Sequence, residues 1–281
     1  MERVGVVGAG TMGHGIAQVC AMAGFRVRLT DADPEALDRG SRAIAANLAK
    51  GIERGKVTEE ERDAALARIS PEDGPTAVAA DADIVFEAIP ENLDLKQGLF
   101  RHLEGVAPAA CIFATNTSSL SIARIAEAVS DPGRVMGTHF FNPVHIMTLL
   151  EVVVADTTRP EVLEAVRALG GRIGKEVITV RDFPGFATSR LGICLGMEAI
   201  RMVEQGVASA EDIDKAMVLG YRHPLGPLRL GDLVGLDVRL AIGEYLARAL
   251  NNPAFEPPAL LREMVARGDL GKKTGRGFYE W

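Results

Sequence analysis

Cysteine is scarce. The chain has three, Cys20, Cys111 and Cys194, an odd number set far apart among apolar neighbours. That excludes a disulfide framework and points to buried, reduced thiols. The five histidines are scattered too, so no Cys/His ligand cluster exists and a metal-dependent alcohol chemistry has nothing to stand on. Long apolar runs are missing, which excludes a membrane-spanning helix. Met1-Glu2-Arg3 leads straight into a strand pattern with no signal peptide, so a cytoplasmic location is expected. An excess of positive charge is also lacking: 31 basic against 38 acidic residues give a net charge of −7. Nothing in that balance attracts nucleic acid or an anionic membrane, and an anionic ligand would have to meet local basic residues. What remains, at 47 % hydrophobic and 25 % charged over 281 residues, is ordinary globular composition with room for one large domain or two modest ones. No internal repeat or low-complexity tract is present.

Against that background the start of the chain stands out. Val4-Gly5-Val6-Val7 is a short apolar run, and Gly8-Ala9-Gly10-Thr11-Met12-Gly13 follows with the G-x-G-x-x-G spacing. Gly8 suits the tight turn, Gly10 allows close approach of a pyrophosphate, and Gly13 lets a helix lie near its strand. The helix N-terminus adds free N–H donors. Ile16, Val19, Cys20 and Ala23 give that helix an apolar face. A second strand, Val27 to Leu29, ends at Asp31, where a carboxylate would accept hydrogen bonds from a ribose diol and repel a 2′-phosphate, favouring NAD over NADP. The alternative is a glycine turn of an ordinary α/β protein with Asp31 solvated.

Pro34 to about Lys50 reads as a helix, interrupted by Gly51 to Lys56. Thr58 and Glu61 form a capping box that opens another. This pair, about 34–68, is longer than a simple crossover needs and is expected to project as a hairpin. Strand patterns recur at 84–87, 112–115, 135–138, 149–154 and 177–180, separated by helices or loops, which predicts a largely parallel, doubly wound sheet of Rossmann type. At Asp182-Phe183-Pro184-Gly185 the pattern changes. Beyond it only helical periodicity is found, as at Leu191, Leu195, Ala199 and Met202. The expected organisation is an NAD-binding α/β domain at 1–183 and a smaller all-α domain at 184–281. Fold analogy gives the latter a part in closing a substrate cleft and in dimerisation.

His139, in Thr138-His139-Phe140-Phe141-Asn142-Pro143, ends a predicted strand, where open α/β sheets bind ligands. Taking a hydride from an alcohol carbon requires a base for the hydroxyl proton, and histidine suits that near neutral pH. Glu151 is an acid inside an apolar strand and needs a partner. The two could form a base and its orienting carboxylate, or His139 could be a satisfied core residue and Glu151 an exposed edge one. Asn116-Thr117-Ser118-Ser119 could cap a helix or bind a substrate oxygen. Glu87 to Asn92 occupies a similar strand end, with Lys96 one turn into the next helix. The basic, glycine-rich segment from Gly271 to Tyr279 could be a solvated tail.

Together, G-A-G-T-M-G, E-A-I-P-E-N, N-T-S-S-L, H-F-F-N-P-V, P-G-F and G-K-K-T-G-R-G-F-Y resemble the L-3-hydroxyacyl-CoA dehydrogenase family across nearly the whole chain. The resemblance implies reversible, NAD-dependent oxidation of the 3-hydroxyl of an acyl-CoA, short-chain substrates such as 3-hydroxybutyryl-CoA, and a place in fatty-acid β-oxidation and butanoate metabolism. It further implies His139 as catalytic base, Glu151 as its partner and Ser118 on the substrate oxygen. Cofactor contacts would come from the 8–13 turn, Asp31, Glu91, Lys96, Ser118, Asn142 and Lys273. Coenzyme A would meet Lys50, Arg54 and Lys56 on the hairpin, which answers the charge problem. A homodimer formed through the helical domain is expected, with neither membrane nor nucleic acid as partner.

One departure matters. Ser189 stands where the family's substrate-holding asparagine follows P-G-F. A serine is shorter, so a water or Arg190 would complete the contact. His145 and Thr148 replace a usual proline and lysine. A same-fold dehydrogenase of a non-CoA hydroxy compound, carnitine or gulonate, is the alternative activity, and a crystallin-like structural protein the alternative class.

Overall fold

Strand and helix alternate as the apolar pattern requires. The computed structural model describes all of residues 1–281. Its contacts divide the chain into two units, Met1–Asp182 and Phe183–Trp281. The first contains strands β1 (Arg3–Val7), β2 (Arg26–Thr30), β3 (Ile69–Pro71), β4 (Ile84–Glu87), β5 (Ile112–Thr115), β6 (Val135–Phe140), β7 (Leu149–Val154) and β8 (Glu176–Arg181). Its helices are α1 (Gly13–Met22), α2 (Pro34–Glu53), α3 (Glu59–Ala67), α4 (Pro75–Ala79), α5 (Leu93–Val106), α6 (Ile122–Ala126) and α7 (Pro160–Arg172). The strands form one sheet in the order β3-β2-β1-β4-β5-β6-β7-β8. Residues such as Val6, Phe86, Phe113, Ala114 and Val152 are fully buried in it.

Pairing is parallel from β3 to β6 and antiparallel between β6 and β7. The link over 141–148 is too short for a parallel crossover, which takes a dozen residues or more, so the chain must turn back. The following link contains α7, and β8 runs parallel to β7. β3 escapes the sequence reading because it is a three-residue edge strand ending in Pro71, which only an edge tolerates.

The α2–α3 pair differs from expectation in two ways. It does not stand free: Ile44, Leu48 and Ala65 are buried in the same core as Ile16 and Cys20 of α1. And α2 runs through Gly51 to Glu53. Gly51 is there for packing, since a Cβ would sit 2.8 Å from Val57 Cγ2; the turn belongs to Gly55, whose φ is +64°. The Thr58–Glu61 capping box forms in both directions.

The second unit holds α8 (Thr188–Glu204), α9 (Ala210–Lys215), α10 (Pro227–Val234), α11 (Leu236–Leu250) and α12 (Ala259–Arg267). Ile193, Met197, Leu228, Leu236, Leu246 and Leu261 form its core. Its last residues are not a loose tail. Buried Asp232 accepts the N–H groups of Phe278 and Tyr279 and the indole N–H of Trp281, at 2.9–3.0 Å. Gly277 is required there, because a Cβ would lie 2.2 Å from Asp232 Oδ1. No helix in either unit is long and apolar enough to cross a membrane.

Candidate active site

The glycine turn joins β1 to α1 at the carboxyl end of the sheet. Gly8 has φ +100°, and a Cβ on Gly13 would stand 1.7 Å from Gly8 O, so both positions exclude a side chain. A Cβ on Gly10 would meet nothing within 4 Å: it would enter the open space above the turn, where a diphosphate would approach the backbone. No side chain caps α1 and no acid occupies its first turn, which leaves its positive end to an anion. Asp31 accepts the Ala9 N–H at 2.7 Å and the Asp33 N–H at 3.0 Å, so it braces the turn and retains lone pairs for a diol. Helix α2 leans on the turn through Gly40, where a Cβ would be 2.5 Å from Ala9 O. These residues fit NAD.

His139 and Glu151 face one another across the antiparallel β6–β7 pair. His139 Nδ1 is 2.8 Å from Glu151 Oε2. Glu151 is 0 % exposed and His139 9 %. Because β7 lies between β6 and β8, the exposed-edge alternative for Glu151 falls. A carboxylate on Nδ1 fixes the tautomer: Nδ1–H donates and Nε2 is the basic nitrogen. Phe141 packs on the imidazole at 4.5 Å between centroids. Asn116 Oδ1 accepts the Phe140 N–H at 2.9 Å and ties the end of β6 to the loop after β5.

That loop, Thr117 to Ser119, does not cap α6, whose cap is Ser121. It is gathered by Glu91 instead. Glu91 Oε1 accepts from Thr117 Oγ1 at 2.6 Å, from the N–H groups of Ser118 and Ser119 at 3.0 and 3.1 Å, and from their hydroxyls at 3.3 and 3.0 Å. Burial alone would push the Glu91 carboxyl up. The Thr117 hydrogen bond, the Lys96 charge and the serine donors outweigh it and hold the group below the usual carboxylate range.

Lys96, expected to contact the cofactor, is paired within the chain. Its ammonium is 0 % exposed, 2.6 Å from Glu87 Oε1 and 3.5 Å from Glu91 Oε2, so it serves those carboxylates and offers no open face. Glu87, fully buried, accepts also from Thr115 Oγ1 and the Ile89 N–H, and its burial pushes the carboxyl up. Glu87 is legible in the sequence only as part of a strand-end segment, with no role; a lone acid closing an apolar strand is the available signal.

Asn142 is exposed on the 141–148 loop, beside a cis Asn142–Pro143 bond. Lys175 braces this loop, donating from Nζ to Val144 O at 2.5 Å and Met147 O at 2.6 Å. Thr148 is exposed, and the His145 imidazole is held below its usual value by burial and by the charges of His14 and Lys175. Lys50, Arg54 and Lys56 are exposed at the α2–α3 turn, with no carboxylate within ion-pair distance. In the helical unit Ser189 lies in the first turn of α8, and the Arg190 guanidinium sits 5.4 Å over the Phe183 ring. Lys273 Nζ pairs with both Asp237 oxygens at 2.5 and 2.6 Å.

A carboxylate-held imidazole at the same sheet end as a glycine turn that fits NAD points to a nicotinamide-dependent oxidoreductase as the class. Comparison with known proteins narrows it. The family models for 3-hydroxyacyl-CoA dehydrogenase match residues 3–183 with the NAD binding domain and 185–281 with the C-terminal domain. A probable 3-hydroxybutyryl-CoA dehydrogenase of Bacillus subtilis is 45 % identical over 281 residues, covering 100 % of this chain and 98 % of its own. Among solved structures, (S)-3-hydroxybutyryl-CoA dehydrogenase PaaH1 from Ralstonia eutropha is 43 % identical with a TM-score of 0.96, over 100 % of this chain and 99 % of its own. FadB2 of M. tuberculosis is 41 % identical with a TM-score of 0.96, over the same shares. The chain belongs to the 3-hydroxyacyl-CoA dehydrogenase family and is an NAD-dependent enzyme of that family.

Proposed function

We propose that the chain oxidises L-3-hydroxyacyl-CoA thioesters to their 3-oxo forms, reversibly, with short substrates such as 3-hydroxybutyryl-CoA preferred. The observation that carries this is the buried His139–Glu151 pair at 2.8 Å. Bound NAD⁺ supplies the hydride acceptor for the carbinol carbon. His139 Nε2 takes the hydroxyl proton as the C–H bond breaks, and Glu151 keeps Nδ1 protonated and stabilises the imidazolium that results. In the reverse direction the imidazolium returns the proton. Ser118 hydrogen-bonds the 3-oxygen. Relatives named for 3-hydroxybutyryl-CoA and the unpaired Lys50, Arg54 and Lys56 support a CoA thioester over a free hydroxy acid.

The test compares turnover of 3-hydroxybutyryl-CoA with that of free 3-hydroxybutyrate and carnitine. Equal turnover without the CoA moiety would overturn the proposal. His139→Gln is expected to lower kcat about 100-fold or more while NADH fluorescence still reports binding; unchanged kcat would refute the base. Ser189→Ala is expected to raise KM for the thioester, and Lys273→Ala to raise KM for NAD. We also propose a homodimer formed through the helical unit, where Leu191, Leu219 and Tyr221 are 70 %, 78 % and 76 % exposed. A monomer in sedimentation equilibrium at micromolar concentration would contradict it. A cytoplasmic location is consistent with three free thiols.

A further inference from the structure

Glu87 has no part in the chemistry above, yet it is a fully buried carboxylate at a cofactor-side strand end. It closes β4, and both oxygens are taken: Oε1 by Lys96 Nζ at 2.6 Å and the Ile89 N–H at 2.8 Å, Oε2 by Thr115 Oγ1 at 2.6 Å. No position is left for a ligand. Stability is a poor reason for such a group, because a buried ion pair repays its desolvation only with good geometry and an apolar pair often does as well. What the pair does fix is direction. The Lys96 ammonium is anchored on Glu87 and stands 3.5 Å from Glu91 Oε2, leaving Glu91 Oε1 turned to the five donors of the Thr117–Ser119 loop. A continuous line of contacts thus runs from the sheet interior at Glu87, through Lys96 and Glu91, to the Ser118 hydroxyl.

We propose that Glu87 is a positioning residue for the oxidation: through Lys96 it fixes Glu91, and through Glu91 it fixes the Thr117–Ser119 loop that places Ser118 beside the substrate oxygen. This rests on the role given to Ser118 under the proposed function. Glu87→Gln retains the size of the side chain and its acceptor for Thr115, but it withdraws the charge that anchors Lys96. The ammonium then turns to Glu91 and competes with the serine donors.

The experiment is a double-mutant cycle on NADH-dependent reduction of 3-oxobutyryl-CoA. In the wild-type background Glu87→Gln is expected to lower kcat about tenfold, with the Kd for NADH changed less than about twofold. In a Ser118→Ala background the same substitution is expected to cost less than about twofold, because the group it places is gone. Equal costs in the two backgrounds, as a general loosening of the fold would give, overturn the proposal. So does a wild-type-background loss below about twofold. If Glu87→Gln does not fold, the charge-free pair Glu87→Leu/Lys96→Leu is read in the same two backgrounds with the same expectations. A wild-type chain that fails to turn over the thioester would instead overturn the proposed function.

Discussion

A single hydrogen bond decides how His139 can act. With Glu151 on Nδ1, the basic lone pair is confined to Nε2, and the Nδ1–H offsets part of the cost of burying the carboxylate. Asp31 braces the glycine turn, and its proposed second use is to oppose a 2′-phosphate on the cofactor. Asp31→Asn is therefore expected to raise KM for NAD about tenfold and to reduce the preference over NADP, measured as the ratio of kcat/KM for the two cofactors. An unchanged ratio would remove Asp31 from cofactor choice. At Cys20 and Cys111 burial pushes the thiols up to about 12, so both should resist a thiol reagent at about pH 8 in the native protein and react only on unfolding. The Asp31, His139 and Glu151 pairing was legible as residue types in a pattern. The Glu87–Lys96 contact was not, because Lys96 reads as an ordinary cation in a helix's first turn until burial reveals where its stem goes.

Among elements, the Thr117–Ser119 loop depends most on one acceptor. Glu91 is held below its usual 4.5 in the folded chain, so its stabilising contribution is full above the unfolded value and is lost as pH falls through the lower folded value. Glu91→Gln should lower Tm at neutral pH, and the gap to wild type should narrow as pH falls below the ordinary glutamate value and close once it has passed the lower folded one. A gap that persists undiminished into acid would show that Glu91 carries no linked charge. The 141–148 loop has a corresponding brace in Lys175. Lys175→Met is expected to speed amide hydrogen exchange across 141–148 about tenfold or more, with β6 and β7 themselves unaffected. Most strands, the long helices and the capping box were readable because each carries its own period or cap signal. The reversal of β7 was latent in the length of one loop, whereas β3 and the continuation of α2 through Gly51 were not readable. Both depend on neighbours distant in sequence: β2 supplies the partner for β3, and Val57 leaves no room for a side chain at position 51.

For the molecule as a whole, the net charge of −7 opposes an anionic substrate, and the exposed cations at the tip of the α2–α3 pair oppose that field locally. Replacing Lys50, Arg54 and Lys56 together with glutamate is expected to raise KM for the CoA thioester about tenfold or more and to leave KM for NADH within about twofold. The same KM for wild type and the triple variant at low salt would move the recognition of coenzyme A elsewhere. The division of the sheet's labour has a further consequence. His139 and Glu151 are neighbours across a ladder, so the sheet sets their separation and the length of the 141–148 loop does not. A loop of different length could be transplanted between β6 and β7 beyond Phe141, which packs on the imidazole, without changing that separation. A one-residue slip of register, by contrast, would turn Glu151 to the opposite face and leave the imidazole without its tautomer. The outer part of the 141–148 loop is therefore open to exchange by grafting, whereas the proposed proton acceptor is inherited with the sheet.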